Sequence, residues 1–182
     1  MKNQICTILG GGGFIGRYLV RNLTKKNYRC IISTRKAFQK GYLKTQAPPG
    51  SVELIDFNSN NFDKIEEAIS NSDVVINLIG ILFEKKNGNT FKNIHTIFPS
   101  LLAKLCKEYN LKHFIHLSAL GINDAVDSDY AKSKLDGEKN ILSNFPSATI
   151  LKPSVVYSVD DNFTTNFMSL LSKLPFFPMY YS

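Results

Sequence analysis

The chain has 182 residues, 43% of them apolar, which is enough for one packed core, and nothing in it is disordered or repetitive. Its formal charge of +7 suits a phosphorylated cofactor or an anionic membrane surface, while no aromatic-basic motif supports nucleic-acid binding. No apolar run spans a bilayer, Met1-Lys2-Asn3-Gln4 enters a strand rather than a signal peptide, and Cys6, Cys30 and Cys106 read as buried thiols of a cytoplasmic protein, without the spacing of a metal site.

The first strand, Ile5 to Leu9, runs into Gly10-Gly11-Gly12-Gly13-Phe14-Ile15-Gly16-Arg17, and a helix follows from Phe14 to Lys25. Strand, glycine turn and helix form the arrangement that binds a dinucleotide pyrophosphate. The glycines let phosphates approach the backbone, and the helix N-terminus offers free N–H groups. Gly10-x-x-Gly13-x-x-Gly16 and Gly11-x-Gly13-x-x-Gly16 both fit. A second strand, Tyr28 to Thr34, ends in Ser33-Thr34-Arg35-Lys36, with no acid to hold ribose hydroxyls. A carboxylate would repel a 2′-phosphate and a guanidinium pairs with it, so Arg35 makes NADP(H) the preferred cofactor and NAD(H) the alternative. Arg17 can approach the same phosphate; for both arginines the other reading is a solvated surface charge.

Ala37 to Ser51 reads as a connection, with Pro48-Pro49-Gly50 stopping any helix. The third strand, Val52 to Ile55, leads to Asp56, which either edges the adenine or belongs to a turn. A helix follows from Asn61 to Ser70. Asp73 to Gly80 is a continuous apolar run of the buried parallel kind, placing Asn77 and Gly80 in the crevice at the strand's end. A long helix from Thr90 to Tyr109 carries an apolar stripe, and Pro99 implies a break, a kink, or a start near Phe98. His95 falls near the crevice, where a lone histidine is more often structural than chemical.

The fifth strand, His113 to Ser118, is followed by a polar loop and a helix from Tyr130 to about Asn144. Ala148 to Leu151 is the sixth strand, and Asp161-Asn162 caps a last helix, Phe163 to Lys173. Strands alternating with helices argue for an α/β doubly wound parallel sheet of Rossmann type, in the order 3-2-1-4-5-6, with the ligand at the strands' carboxyl ends. Tyr130 and Lys134 share a helix face, and an ammonium beside the phenol is expected to lower its pKa. Ser118 at a strand end can bond a substrate oxygen. The three together can move a proton while a nicotinamide moves a hydride. The other reading is helix-start packing for Tyr130 and, for Lys134, a solvated charge or a ribose ligand without turnover.

These residues resemble the short-chain dehydrogenase/reductase superfamily in its extended or atypical, epimerase/dehydratase-like branch. The glycine spacing matches, and Asp56, Asn77, Ser118, Tyr130 and Lys134 fall on its landmarks. Lys152-Pro153-Ser154-Val155-Val156-Tyr157 is similar to its Arg-Pro-x-x-Val-Tyr-Gly segment, with Lys152 in place of arginine and Ser158 of glycine. Gly16 to Val20, Val75 to Gly80, Ile94-His95, Phe114 to Gly121 and Phe145 to Ile150 look like the nucleotide-binding accessory subunit of respiratory complex I and its bacterial relatives. That resemblance implies cofactor binding by Gly10, Gly13, Phe14, Ile15, Gly16, Arg17, Arg35, Asp56, Asn77, Gly80, Tyr130 and Lys134, with Ser118, Tyr130 and Lys134 as the catalytic set. It implies tightly bound NADPH and an assembly or stabilising role near quinone, within complex I or another membrane-associated assembly. The site is then cytoplasmic, peripheral on the inner face of the energy-transducing membrane. Residues 1–158 form the cofactor domain, and 159–182 begin a substrate-side region that is largely missing from this chain.

Overall fold

The computed structural model describes residues 4–57, 62–85, 88–125, 127–159 and 161–173. Six strands, β1 (Ile5–Leu9), β2 (Arg29–Thr34), β3 (Val52–Asp56), β4 (Val74–Asn77), β5 (His113–Leu117) and β6 (Thr149–Leu151), form one sheet. All pairings are parallel and the order is β3-β2-β1-β4-β5-β6, as the alternation of strands and helices implies. The crossovers carry α1 (Phe14–Lys25), α2 (Tyr42–Thr45), α3 (Phe62–Ser70), α4 (Phe98–Glu108) and α5 (Asp129–Asn144), and α6 (Asn162–Lys173) follows β6.

Each face of the sheet has its own core, because successive strand residues point to opposite sides. Leu9, Val75 and Phe114 pack with Ile65, Ile69, Leu102 and Ile141 on the face covered by α3, α4 and α5. Ile8, Ile32 and Ile76 pack with Val20 and Leu43 on the face covered by α1 and α2. Burial on both sides makes the central strands read as unbroken apolar runs. The three cysteines are free and buried. Burial pushes the Cys30 thiol up to about 11 and Cys106 up to about 12, and raises Cys6 as well, so these are packing groups rather than nucleophiles.

Two local features differ from the sequence expectation. The connection from Ala37 to Ser51 is ordered: a 3₁₀ turn at Ala37–Lys40 precedes α2, which anchors through fully buried Leu43. The fourth strand stops at Asn77, short of Gly80, because the Asn77 Oδ1 accepts the Ile79 N–H at 3.0 Å and turns the chain. The long helix is broken near Pro99, as that proline implies. Lys92–Ile97 is wound in wider π-type turns, and α4 begins at Phe98 with Pro99 in its first turn. Proline has no N–H to give the carbonyl four residues back, that of His95. That carbonyl lies against Gly137 of α5, where a Cβ would collide with it.

Side chains supply the helix starts. Ser128 caps α5 by accepting the Ala131 N–H, and the Asp161 Oδ1 accepts the Thr164 N–H at the start of α6. The expected helix start at Asn61 and the apolar stretch 174–182 lie outside the described residues. Among the described residues no helix is long and apolar enough to cross a membrane.

Candidate functional site

The glycine turn is built as a cradle. Gly10 has φ +80°, a left-handed conformation that suits glycine, and its N–H bonds the Ser33 carbonyl of β2 at 2.8 Å. Gly16 sits where a Cβ would strike the Gly11 backbone, so α1 packs directly on the turn. Gly13 is exposed and precedes α1 without a side-chain cap, and the first turn holds no acid. The orphan N–H groups of α1 therefore face outward, ready for an anion.

Two hollows run along the carboxyl edge of the sheet and share Gly10, Gly13 and Leu78 to Ile81. The larger, about 810 Å³, is lined by Gly10, Gly13, Phe14, Ile15, Gly16 and Gly80, together with Ser118, Tyr130 and Lys134. The smaller, about 570 Å³, holds Arg35 with Lys36 and Lys40, and among the described residues no carboxylate lines it. Lys40 was missed by sequence reasoning because Ala37–Lys40 was read as an irregular connection. Its 3₁₀ turn brings the lysine back beside Lys36.

Arg17, Asp56 and Asn77 line neither hollow. Arg17 lies half-buried on α1. Asp56 ends β3 half-buried, and its Oδ1 accepts the Ala37 N–H at 2.9 Å, which pins the basic turn. Asn77 is fully buried beneath the floor, where its Nδ2 donates to the His116 Nδ1 at 3.1 Å. A polar residue at a strand end faces either the crevice or the interior; Asn77 faces inward, whereas Asp56 stays half-buried at the end of β3.

His95 organises the wall between the hollows. Its Nε2 accepts the Ile81 N–H at 3.1 Å, so a neutral ring carries its proton on Nδ1 and donates to the Ser133 Oγ at 3.0 Å. The Ser133 hydroxyl donates in turn to the Tyr130 carbonyl. Burial, and then the nearby Lys134, lower His95 to about 4, which keeps it neutral. The same two causes, with His95 third, lower His116 to about 3. The structural reading of His95 fits this geometry. His116 was missed because its partnership with Asn77 comes from the register of β4 with β5, which no local sequence pattern shows.

Lys134 is 6% exposed; its Nζ donates to the Leu117 carbonyl at 3.3 Å and lies 5.8 Å from the Tyr130 ring centroid. Burial lowers it to about 8, opposed by Glu138 one turn along α5. The Glu138 carboxylate is paired with Lys152 at 2.6 Å, which ties the segment just after β6 to α5. The expected lowering of the Tyr130 pKa does not occur in this geometry. Burial raises its phenol, while the ammonium sits over the ring face and is bonded to the Leu117 carbonyl. The Ser118 Oγ is buried and meets no hydrogen-bond partner among the described residues, although Ser118 lines the larger hollow. An orphaned hydroxyl at the floor of a cleft awaits a ligand oxygen.

Residues 6–173 match the model of the NAD dependent epimerase/dehydratase family. The chain is 32% identical over 168 residues to the mouse NADH dehydrogenase [ubiquinone] 1 alpha subcomplex subunit 9, mitochondrial, covering 92% of this chain and 44% of that protein. It thus spans less than half the length of that relative. Among solved structures it resembles the UDP-glucuronic acid 4-epimerase of Bacillus cereus in complex with NAD, with TM-score 0.73, 22% identity, and 93% and 64% of the two chains covered. It also resembles a wide-type short-chain dehydrogenase/reductase of Veillonella parvula in complex with NADP, with TM-score 0.63, 20% identity, and coverage of 88% and 73%. These two likenesses concern the fold. The chain is an NAD(P)-binding protein of short-chain dehydrogenase/reductase type and belongs to the NAD dependent epimerase/dehydratase family.

Proposed function

We propose that this chain holds NADP(H) and serves as a cofactor-loaded accessory module of a respiratory, membrane-associated assembly, on the cytoplasmic side of an energy-transducing membrane. Residues 1–158 would form its cofactor domain, and 159–182 would begin a substrate-side region. The residues fit the cofactor. The uncapped start of α1 and exposed Gly13 suit the pyrophosphate, and the orphaned Ser118 hydroxyl suits the nicotinamide end. The observation that carries the NADP(H) assignment is the smaller hollow, which Arg35, Lys36 and Lys40 line with no carboxylate among the described residues. The assembly role is supported by the mouse relative, whose name describes a subunit of NADH dehydrogenase. Titration with both cofactors tests the assignment. Arg35→Asp is expected to weaken NADPH binding at least tenfold and to leave NADH binding nearly unchanged.

A second reading, turnover, is favoured by one observation: Ser118, Tyr130 and Lys134 line the same hollow. The bound nicotinamide supplies or accepts the hydride. Ser118 would hold the substrate oxygen, Tyr130 would move its proton, and the Lys134 ammonium would favour the phenolate once a ligand draws it off the Leu117 carbonyl. Tyr130→Phe is expected to lower any carbonyl reduction by about a hundredfold or more while NADPH still binds. Activity unchanged in that variant would remove Tyr130 from the reaction.

A further inference from the structure

We propose that the part of the larger hollow beyond Ser118 receives the hydrocarbon chain of an apolar carbonyl or alcohol compound, and not a nucleotide sugar. This inference deepens the turnover reading and rests on it for the position of the reacting oxygen. Four side chains in the hollow, Leu82, Leu120, Val155 and Val156, come from the segments after β4, β5 and β6, so they converge from three separate strand ends. Leu82 is 76% exposed, Leu120 64% and Val155 66%, although each has the size and chemistry of a core residue. Phe83 and Tyr157, next to them in sequence, are exposed as well. Single exposed apolar residues are ordinary, but a concentration around one cleft marks a contact surface for an apolar ligand.

Charge argues in the same direction. A nucleotide sugar brings a diphosphate, which proteins hold with arginine, lysine or a helix N-terminus. Among the described residues that line this hollow, Lys134 is the one cationic side chain, and it is bonded to the Leu117 carbonyl. The basic groups Arg35, Lys36 and Lys40 stand in the other hollow, and the helix N-terminus of α1 is taken by the cofactor pyrophosphate in the reading above. Among the described side chains that line this hollow, the Ser118 Oγ is the buried polar atom without a hydrogen-bond partner, and it matches a ligand with one oxygen and an apolar remainder. Such a compound would place its oxygen at Ser118 and Tyr130 and lay its chain along Leu82, Leu120, Val155 and Val156.

The test uses the full chain, with and without saturating NADPH, and a homologous series of 2-ketones from butanone to dodecanone competing against cis-parinaric acid. UDP-glucose is the polar comparison, and NADPH binding is titrated in every sample. Affinity is expected to rise about two- to fourfold per added methylene, and UDP-glucose is expected not to compete. Leu120→Asp and Val156→Asp, both at exposed positions, are expected to abolish the chain-length dependence while leaving NADPH binding and the melting temperature unchanged. A flat series, or competition by UDP-glucose, overturns the inference; a flat series alongside normal NADPH binding leaves the apolar rim as a surface covered by another polypeptide. Chain-length dependence without any NADPH binding would support the hydrocarbon site while refuting the cofactor assignment, so the two failures are distinct.

Discussion

Lys134 is placed between two opposing demands. It is nearly enclosed, which favours its neutral form, and it lines a cleft suited to an anionic dinucleotide, which favours the cation. With the Lys134 pKa lowered to about 8, the ammonium is mostly intact at neutral pH and is lost as pH rises through that value. Cofactor binding is therefore expected to weaken by about tenfold between pH 7 and pH 9.5, the loss of one charge-assisted hydrogen bond. In Lys134→Met the affinity should be low at both values and independent of pH across this range. Titration calorimetry at several pH values measures both. A wild-type affinity that is flat with pH would place the ammonium away from the ligand. The sequence showed the pairing of Tyr130 with Lys134 through their spacing of four. It did not show that Nζ bonds the Leu117 carbonyl, because the direction of a flexible side chain depends on which acceptor the neighbouring strand offers.

At the level of elements, the contact between α5 and the segment before α4 sets the geometry around Tyr130 and Lys134. Thr96 Oγ1 donates to the Ser133 carbonyl, His95 Nδ1 donates to Ser133 Oγ, and Gly137 lets the His95 carbonyl approach α5. Gly137→Ala should raise the intrinsic helix propensity of α5 by about 1 kcal/mol. The collision with a backbone carbonyl outweighs this, and a net destabilisation of about 2 kcal/mol is expected. Urea unfolding of the two proteins decides the sign: stabilisation by alanine would mean that the two segments do not pack this closely. The wide turns at Lys92–Ile97 were only half legible. Pro99 announced an irregularity, but the form it took depended on Gly137, forty residues away in sequence and absent from any local pattern. The strand ends show the same division. Gly80 and Ser118 line the cleft, whereas Asn77 turns inward to the buried His116 and the half-buried Asp56 bonds the Ala37 N–H.

For the whole molecule, the order of the sheet was open to sequence reading because parallel strands buried on both faces leave long apolar runs, and right-handed crossovers leave few ways to connect them. What escaped was the polar interior beneath the site. His95 and His116 are 2% exposed each, neutral, and close to Lys134. Their pKa values lie below the ordinary 6.5, so below that pH the unfolded chain binds protons that the folded chain does not. Stability from this source is complete above about pH 6.5 and is lost as pH falls toward 4. The two rings together should remove about 3 kcal/mol by pH 5.5. Urea midpoints measured from pH 7.5 to 5 check this, and a midpoint constant over that range would mean that the rings are not held neutral by the fold.

The central claim is that the basic turn after β2 selects a 2′-phosphate. The direct measurement is calorimetric titration of the wild-type chain with NADPH and with NADH in the same buffer. NADPH is expected to bind at least tenfold more tightly, with the difference shrinking as salt is added, because partly exposed cations are screened. Equal affinity, or tighter binding of NADH, would contradict the assignment of Arg35, Lys36 and Lys40 to the cofactor phosphate.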